Sequence, residues 1–230
     1  MFMGHYAPAM LSIKGKAGKP SITLWQGFLA VQTIDFVFAL LVIFGVENSV
    51  ISDGKPVFDI PWSHSLLTSL FISFIAALIF KILRKDSGWK GFGIIFALVF
   101  SHWIMDLIVH RPDLPIYPLD KTVYGFGFWN YPWLAYGLEM GLLLCGFLYW
   151  IGRTTPKTKF YKFLPWGLFL FMGIVQFIFI TLPGLQMKAG SFEPEYQLQG
   201  ASLGVLSLLA FLSFAALIGW VENGRVLKSA

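Results

Sequence analysis

Residues 91–109 read GFGIIFALVFSHWIMDLIV, an apolar run that nevertheless contains His102 and Asp106. At about 1.5 Å per residue, a helix of this length crosses most of a hydrocarbon core about 30 Å thick. Ionisable side chains inside such a span are energetically costly, so they usually face the interior of the bundle and mark a functional site. His102, Asp106 and His110 are spaced four residues apart, which places them along one face of the predicted helix.

The composition of the whole chain predicts an integral membrane protein. Hydrophobic residues make up 57% of the 230 residues and charged residues 13%, and the mean hydropathy is +0.70, which excludes an ordinary soluble domain. Long uninterrupted apolar runs favour helices over a β-barrel, whose strands alternate in polarity. We therefore predict an all-α polytopic transmembrane helical bundle, a single domain over 1–230, with spans at 24–46, 63–80, 91–109, 131–151, 163–182 and 201–221.

The distribution of basic residues predicts the orientation, because loops rich in Lys and Arg stay on the cytoplasmic side. All but four of the 17 Lys and Arg residues lie in the N-terminal segment, the second loop, the fourth loop and the C-terminal tail. Both termini are therefore expected in the cytoplasm of a cell with a bacterial-type inner membrane, which the chain crosses several times. Membrane lipids are expected partners and nucleic acid is not, since no exposed basic cluster is interleaved with aromatic residues.

Ionisable residues are concentrated in the first four spans, within residues 1–151. The two spans inside 160–221 contain no ionisable residue, and Gln176 is their one large polar group. We expect these two spans to close the bundle or to form a homo-oligomer surface, because Ala201 and Gly204 permit close helix packing.

Several polar residues are predicted at overlapping depths in the outer half of the bundle. Neutral imidazoles and carboxylates are the ligands that Zn²⁺ prefers, and they also bind Mn²⁺ and Fe²⁺. The sequence therefore predicts a divalent metal, zinc first, held by His64, His102 and Asp106, with His5 or Asp35 as a further ligand. The remaining candidates are Asp35 or Glu139 as the base, Arg111 as a clamp for phosphate or carboxylate, and His110 and Asp113 at the outer rim.

His5 reaches this site only if the N-terminal segment enters the membrane. Lysines that follow it place the segment on the cytoplasmic side. A half-length helix over residues 3–13 would carry His5 about 15 Å inward, close to Asp35.

The motifs together resemble the inner-membrane-associated metal-dependent hydrolases. Members of that family have a Gly-His near the N-terminus, an Asp-containing motif, a Thr-His-Ser or similar, and a Ser-His-x-x-x-Asp. This chain departs from the pattern at Asp35, where many members have an Asp-x-Asp-His run. The resemblance covers about residues 1–150 and rests on Gly4-His5, Asp35, Trp62-Ser63-His64-Ser65-Leu66 and Ser101-His102 followed by Asp106, with Gly-His-Tyr-Ala, Ser-His-Trp and His-Arg-Pro-Asp-Leu-Pro typical of a closer branch.

The leading prediction is a membrane-embedded hydrolase that uses a metal-activated water on an ester or phosphoester of a lipid-like or small extracytoplasmic substrate. Structural alternatives stay open at this point. Asp106 could pair with His102 or Arg111 as a buried ion pair, Ser63 could only cap the second span, and Arg111 and Asp113 could only fix a rigid loop. Two other functions are a transporter with Asp35, Asp106 and Glu139 as a proton or cation relay, and a noncatalytic assembly protein.

Overall fold

The computed structural model describes residues 1–13, 15–16, 19–20, 22–52, 55–191 and 200–228. Within these residues the chain forms a helical bundle with only short two-stranded sheets, which confirms the predicted all-α class. Five helices are long and apolar enough to cross a membrane, and a sixth span results if one bent pair is counted as a unit. The chain is therefore a multi-pass membrane protein.

The elements follow one another along the chain with short connections. The helices are α1 (Tyr6–Leu11), α2 (Leu24–Val31), α3 (Thr33–Ile43), α4 (Pro61–His64), α5 (Leu66–Leu83), α6 (Gly88–Val109), α7 (Pro132–Arg153), α8 (Lys159–Gln176), α9 (Leu182–Ala189) and α10 (Gly200–Asn223), with 3₁₀ turns at Met3–His5, Lys85–Ser87 and Phe128–Asn130 and a π-helical segment at Phe177–Thr181. The antiparallel strand pairs are β1 (Gly15–Lys16) with β2 (Lys19–Pro20), β3 (Asn48–Ser52) with β4 (Lys55–Asp59), β5 (Leu114–Pro115) with β6 (Val123–Tyr124), and β7 (Thr154–Pro156) with β8 (Arg225–Leu227).

The first predicted span is not straight. α2 and α3 meet at an angle of 50° on either side of the buried Gln32. Thr33 Oγ1 donates a hydrogen bond to the carbonyl of Leu29 at 3.1 Å, while the carbonyl of Val31 accepts one from the His102 ring at 2.7 Å. The bend therefore supplies a backbone acceptor inside the bundle.

The N-terminal segment lies in the middle of the bundle. The Met3–His5 turn and α1 are almost entirely buried between α2, α6 and α7. Glycines permit this close approach: a Cβ atom on Gly146 would lie 3.2 Å from Ala7 Cα and 3.2 Å from Met10 Sδ. A short inserted helix is thus accommodated by small residues on its neighbours.

We predict that Gly146→Val destabilises the fold more than Gly141→Val does. Both glycines lie in α7, so the gain in helix propensity is similar, but a Cβ at Gly141 meets nothing within 4 Å. The clash at Gly146 should cost about 1–3 kcal/mol in the free energy of unfolding. Denaturant unfolding in one detergent measures the difference, and equal stabilities would contradict the close packing of α1 on α7.

The fifth span is longer than predicted. The helical run continues from Lys159 to Ala189 through the π-helical segment and past Pro183. Pro183 lacks a backbone N–H and would end most α-helices. The wider π-helical turns that precede it allow the helical run to continue past this proline.

The sixth span packs within its own chain. A Cβ on Gly204 would lie 2.5 Å from the Ala39 carbonyl oxygen, so this glycine serves the contact of α10 with α3. Homo-oligomer formation through the last two spans stays a prediction.

The two ends of the bundle differ in the segments they carry. At one end β7 pairs with β8, and Arg225 donates hydrogen bonds to Thr154 Oγ1 at 2.8 Å and to the Tyr161 carbonyl at 2.7 Å. At the other end, the loop that contains β5 and β6 contacts the start of α5. The carbonyl of Ile116 in this loop accepts a hydrogen bond from Leu67 N at 3.0 Å.

Candidate metal centre

All four histidines of the chain meet two carboxylates at one place in the bundle. The 3₁₀ turn brings His5, α3 brings Asp35, α4 brings His64, and α6 brings His102 and Asp106, with His110 directly after it. The histidines and Asp106 are buried, whereas the Asp35 side chain keeps 16% of its surface exposed. The sequence-predicted ligands are therefore neighbours in space, and the i, i+4 spacing of His102, Asp106 and His110 does place them on one side of α6.

The inner part of this cluster consists of four atoms: Nε2 of His64, Nε2 of His102, Oδ1 of Asp35 and Oδ2 of Asp106. Each histidine nitrogen lies between the two carboxylates. The distances are 3.4 Å and 3.5 Å from His64 to Asp35 and Asp106, and 3.4 Å and 3.1 Å from His102 to the same two residues. Adjacent ligands about 2.1 Å from one divalent ion are separated by about 3.0–3.4 Å. The ligand atoms of His64, His102 and Asp106 all lie within 4.8 Å of one another, as do those of His5, Asp35 and His102, so either group of three could hold an ion.

The orientation of the His102 ring is fixed by a backbone carbonyl. Nδ1 lies 2.7 Å from the Val31 oxygen, which can only accept, so Nδ1 carries the proton. In the neutral ring, Nε2 then keeps its lone pair. That atom is buried without a hydrogen-bond partner although it faces two carboxylates. Buried nitrogens are rarely left unpaired, and an unprotonated Nε2 aimed at carboxylate oxygens fits a metal ligand.

His64 is held by a serine and a glutamate. Its Nδ1 lies 2.6 Å from Ser63 Oγ, and Ser63 Oγ lies 2.6 Å from Glu47 Oε2. When Glu47 is ionised, the single hydroxyl hydrogen of Ser63 goes to Glu47, so Ser63 accepts the proton of His64 Nδ1. Nε2 of His64 is again left with a lone pair that points into the cluster. Carboxylate-to-histidine chains of this kind orient the ligands of many metal sites.

Sequence reasoning missed Glu47. It lies between α3 and β3, outside the predicted motifs, and its Oε1 also accepts the backbone N–H groups of Trp62 and Ser63 at 2.7 and 2.8 Å. Burial raises the pKa of the Glu47 carboxyl, while these hydrogen bonds favour its charged form. The signal in the sequence was weak: an acid at the end of a span, with a Ser-His pair 16 residues later.

A second group of atoms surrounds the other oxygen of Asp106. Oδ1 accepts a hydrogen bond from the Met1 nitrogen, lies 3.0 Å from His5 Nε2 and lies 3.6 Å from His110 Nε2. The His5 ring is stacked on the His102 ring, with centroids 3.7 Å apart and planes 7° from parallel. His110 Nδ1 contacts Asp113 Oδ1 at 2.8 Å. His110 and Asp113, expected at the rim, are both buried here.

Glu139 contacts the N-terminal backbone. Its Oε2 accepts hydrogen bonds from Phe2 N at 2.7 Å and Gly4 N at 3.1 Å, and Gln176 Oε1 accepts one from Met3 N at 3.1 Å. These contacts hold the turn that carries His5. The predicted role of Glu139 as a base stays a prediction.

Arg111 lies after the end of α6. Its Nε donates to Asn130 Oδ1 at 2.9 Å. The pKa of Arg111 is lowered by partial burial, but guanidinium groups remain charged. Neither Arg111 nor Glu139 lines the cavity beside the cluster, as far as the described residues show. That cavity, about 640 Å³ in volume, is lined on its polar side by Asp35, His64, Asp106 and His110.

We predict that Ser63→Ala weakens metal binding about 10- to 100-fold, the usual cost of losing an outer-shell partner of a metal ligand. Ser101→Ala is the matched control, because Ser101 also precedes a histidine but donates to the Leu98 carbonyl in its own helix. Competition with a fluorescent zinc chelator measures both affinities. Equal affinities in the two variants would contradict the role of Ser63 in orienting His64.

Comparison of the chain with family models, with curated proteins and with solved structures found no match. The function of this protein is therefore inferred from the geometry of its histidines and acids.

Proposed function

We propose that this protein is a membrane-embedded, metal-dependent hydrolase of an ester or phosphoester. The observation that carries the proposal is the set of four nitrogen-to-oxygen distances of 3.1–3.5 Å that His64 and His102 make with Asp35 and Asp106. The other two histidine nitrogens, from His5 and His110, lie beside the opposite oxygen of Asp106, which also accepts a hydrogen bond from the Met1 nitrogen.

These residues fit a divalent ion by type and by orientation. His64, His102 and Asp106, whose ligand atoms lie within 4.8 Å of one another, would hold it and leave a position for water beside Asp35. Zinc is the first choice, with manganese or iron as alternatives for a mixed nitrogen and oxygen set. When bound, such an ion polarises a carbonyl or phosphoryl oxygen and lowers the pKa of water to about 7. Without an ion, the unprotonated Nε2 of His102 would face two carboxylates with no hydrogen-bond partner, which is costly in a buried site.

Asp35 is best placed for proton transfer, because it is partly exposed and lines the cavity. In the proposed reaction the oxygen of water bonds to the carbonyl carbon or the phosphorus. The proton of that water passes to Asp35, the ester C–O or P–O bond breaks, and the leaving alcohol takes up the proton. Arg111 is proposed to bind a phosphate or carboxylate group of the substrate just beyond the end of α6, outside the cavity lining, since guanidinium binds both in a planar two-pronged contact.

We also propose that the cluster lies nearer the extracytoplasmic face. His64 and His110 belong to the end of the bundle that carries the loop of β5 and β6, and the end formed by β7 and β8 is rich in basic residues. The C-terminus and the lysines that follow α1 would then be cytoplasmic by the positive-inside rule, whereas the Met1 nitrogen itself lies inside the bundle at Asp106.

Metal removal tests the proposal directly. The purified protein is expected to contain close to one zinc, manganese or iron ion per chain by elemental analysis. A chelator should abolish hydrolysis of p-nitrophenyl butyrate or p-nitrophenyl phosphate, and added zinc should restore it. Metal-free protein that carries out proton-coupled uptake in liposomes would overturn the proposal in favour of a transporter with Asp35, Asp106 and Glu139 as relay. Metal-free protein with neither activity would favour the assembly role.

A further inference from the structure

The cavity beside the cluster is a cleft between two helices. One wall comes from the π-helical segment and the start of α9, and the other from one side of α10. The described residues on these walls are apolar or small: Ile178, Phe179, Pro183, Leu206, Ser207 and Ala210. Among the described residues, the titratable side chains that line the cleft are Asp35, His64, Asp106 and His110, and Met1, whose amino group bonds Asp106, lines it with them.

The cleft exists because the two helices separate along their length. Near the end that carries β7 and β8 they are in contact, with the Trp220 ring 5.9 Å from that of Phe160, and Phe171 also 5.9 Å from Phe214. Beyond Phe171 the run enters its π-helical turns, while α10 continues along α3. π-helical segments are often found at functional sites.

The mouth of the cleft faces the side of the bundle. Ile178 and Phe179 on one edge are 48% and 56% exposed, and Leu206 and Leu209 on the other edge are 45% and 55% exposed. These four side chains belong to helices that are long and apolar enough to span the membrane, so the medium they meet is hydrocarbon. A water-soluble substrate finds no charged group at this mouth among the described residues.

We propose that the cleft admits an acyl chain sideways from the membrane, so that the substrate is a lipid-like ester whose scissile group reaches the histidine and aspartate cluster. This inference rests on the proposed hydrolase function for its chemistry, but not for the binding of the chain. Pockets of about 300–1,000 Å³ hold drug-sized ligands, and 640 Å³ falls in that range. The buried side chains of Phe38 and Ile60 lie deeper along the same cleft.

Photo-crosslinking tests entry of the chain without any need for catalysis. The probe is a monoacylglycerol with a diazirine in the acyl chain close to the ester, because Phe38 lies beside His64 with ring centroids 5.8 Å apart, and it is added to the protein in nanodiscs. We expect crosslinks at Phe38 or Ile60, which bulk lipid does not reach, and none at Phe28, which is equally buried but lies outside the cavity. Crosslinks confined to exposed residues would overturn the proposal.

A blocked cleft provides the matched comparison. Ala210→Trp places a large ring on the wall, and Leu212→Trp places the same ring on another face of α10, where Leu212 is 51% exposed. We expect Ala210→Trp to reduce crosslinking at Phe38 and Ile60 at least fivefold and Leu212→Trp to leave it unchanged. Equal crosslinking in both variants would contradict entry through this cleft.

Chain-length preference then links binding to hydrolysis. The wild type should hydrolyse p-nitrophenyl octanoate at least about tenfold more efficiently than the butyrate, because about two buried methylenes are worth a factor of ten. In Ala210→Trp the ratio of hydrolytic efficiency on the octanoate to that on the butyrate should fall towards one. Leu212→Trp in the same nanodiscs should keep the wild-type ratio, which shows that partition of the longer ester into lipid does not cause the difference. Deep crosslinks without hydrolysis would refute the hydrolase and retain the lipid site; hydrolysis without deep crosslinks would refute the lipid site alone.

Discussion

Asp106→Asn is expected to lose the bound metal and the hydrolytic activity together. Both oxygens of Asp106 are used: Oδ2 faces His64 and His102, and Oδ1 faces the Met1 nitrogen, His5 and His110. The amide keeps the shape of the side chain but removes the charge that favours a divalent cation. Loss of an outer-shell partner costs about 10- to 100-fold in metal affinity, so loss of this carboxylate should cost more than a hundredfold.

Elemental analysis after dialysis, together with zinc competition, measures the effect. Asp120→Asn is the control, since Asp120 is a partly exposed acid in the loop between β5 and β6 whose side chain accepts a hydrogen bond from the backbone N–H of Thr122. Near-stoichiometric metal in Asp106→Asn, at unchanged affinity, would contradict the metal centre. Unfolding measured by circular dichroism separates metal loss from misfolding.

Glu139→Leu is expected to destabilise the N-terminal segment strongly. Leucine leaves the partly buried N–H group of Phe2 and the buried N–H group of Gly4 without their acceptor, and each such group costs about 1–3 kcal/mol. The free energy of unfolding should therefore fall by about 2–6 kcal/mol, and metal affinity should fall with it because His5 loses its position. Denaturant unfolding and zinc competition measure the two effects.

Glu139→Gln distinguishes the anchoring role from that of a base. The amide oxygen of glutamine still accepts from both N–H groups, so stability and metal content should return close to those of the parent. We expect hydrolysis to remain within about tenfold, because Asp35 and not Glu139 lines the cavity. Full stability with activity lost more than a thousandfold would instead assign Glu139 to proton transfer.

The fold was predictable because a membrane leaves the chain few choices. Long apolar runs must become helices, since their backbone groups find no water to bond with, and the spans at 63–80, 91–109 and 131–151 each fall largely within a single observed helix. Similarly, the spacing of His102, Asp106 and His110 predicted a shared helical face. Both predictions rest on the spacing of apolar and ionisable residues within one segment, which can be read from the sequence alone.

Features that depend on contacts between distant segments were not predictable. The 50° bend at Gln32 has no proline or glycine beside it to announce it. Glu47 acts through Ser63 only because the β3 and β4 hairpin returns the chain to α4. In each case the determining partner is far along the chain or is a main-chain atom.

The bond from His102 to the Val31 carbonyl has a consequence for how this centre can vary in evolution. In an uninterrupted α-helix the Val31 carbonyl would accept a hydrogen bond from the backbone N–H four residues later. At the bend it accepts one from the His102 imidazole instead. Every amino acid supplies the same carbonyl. Position 31 is therefore free to change its side chain without loss of this support, provided that the discontinuity in the backbone is inherited.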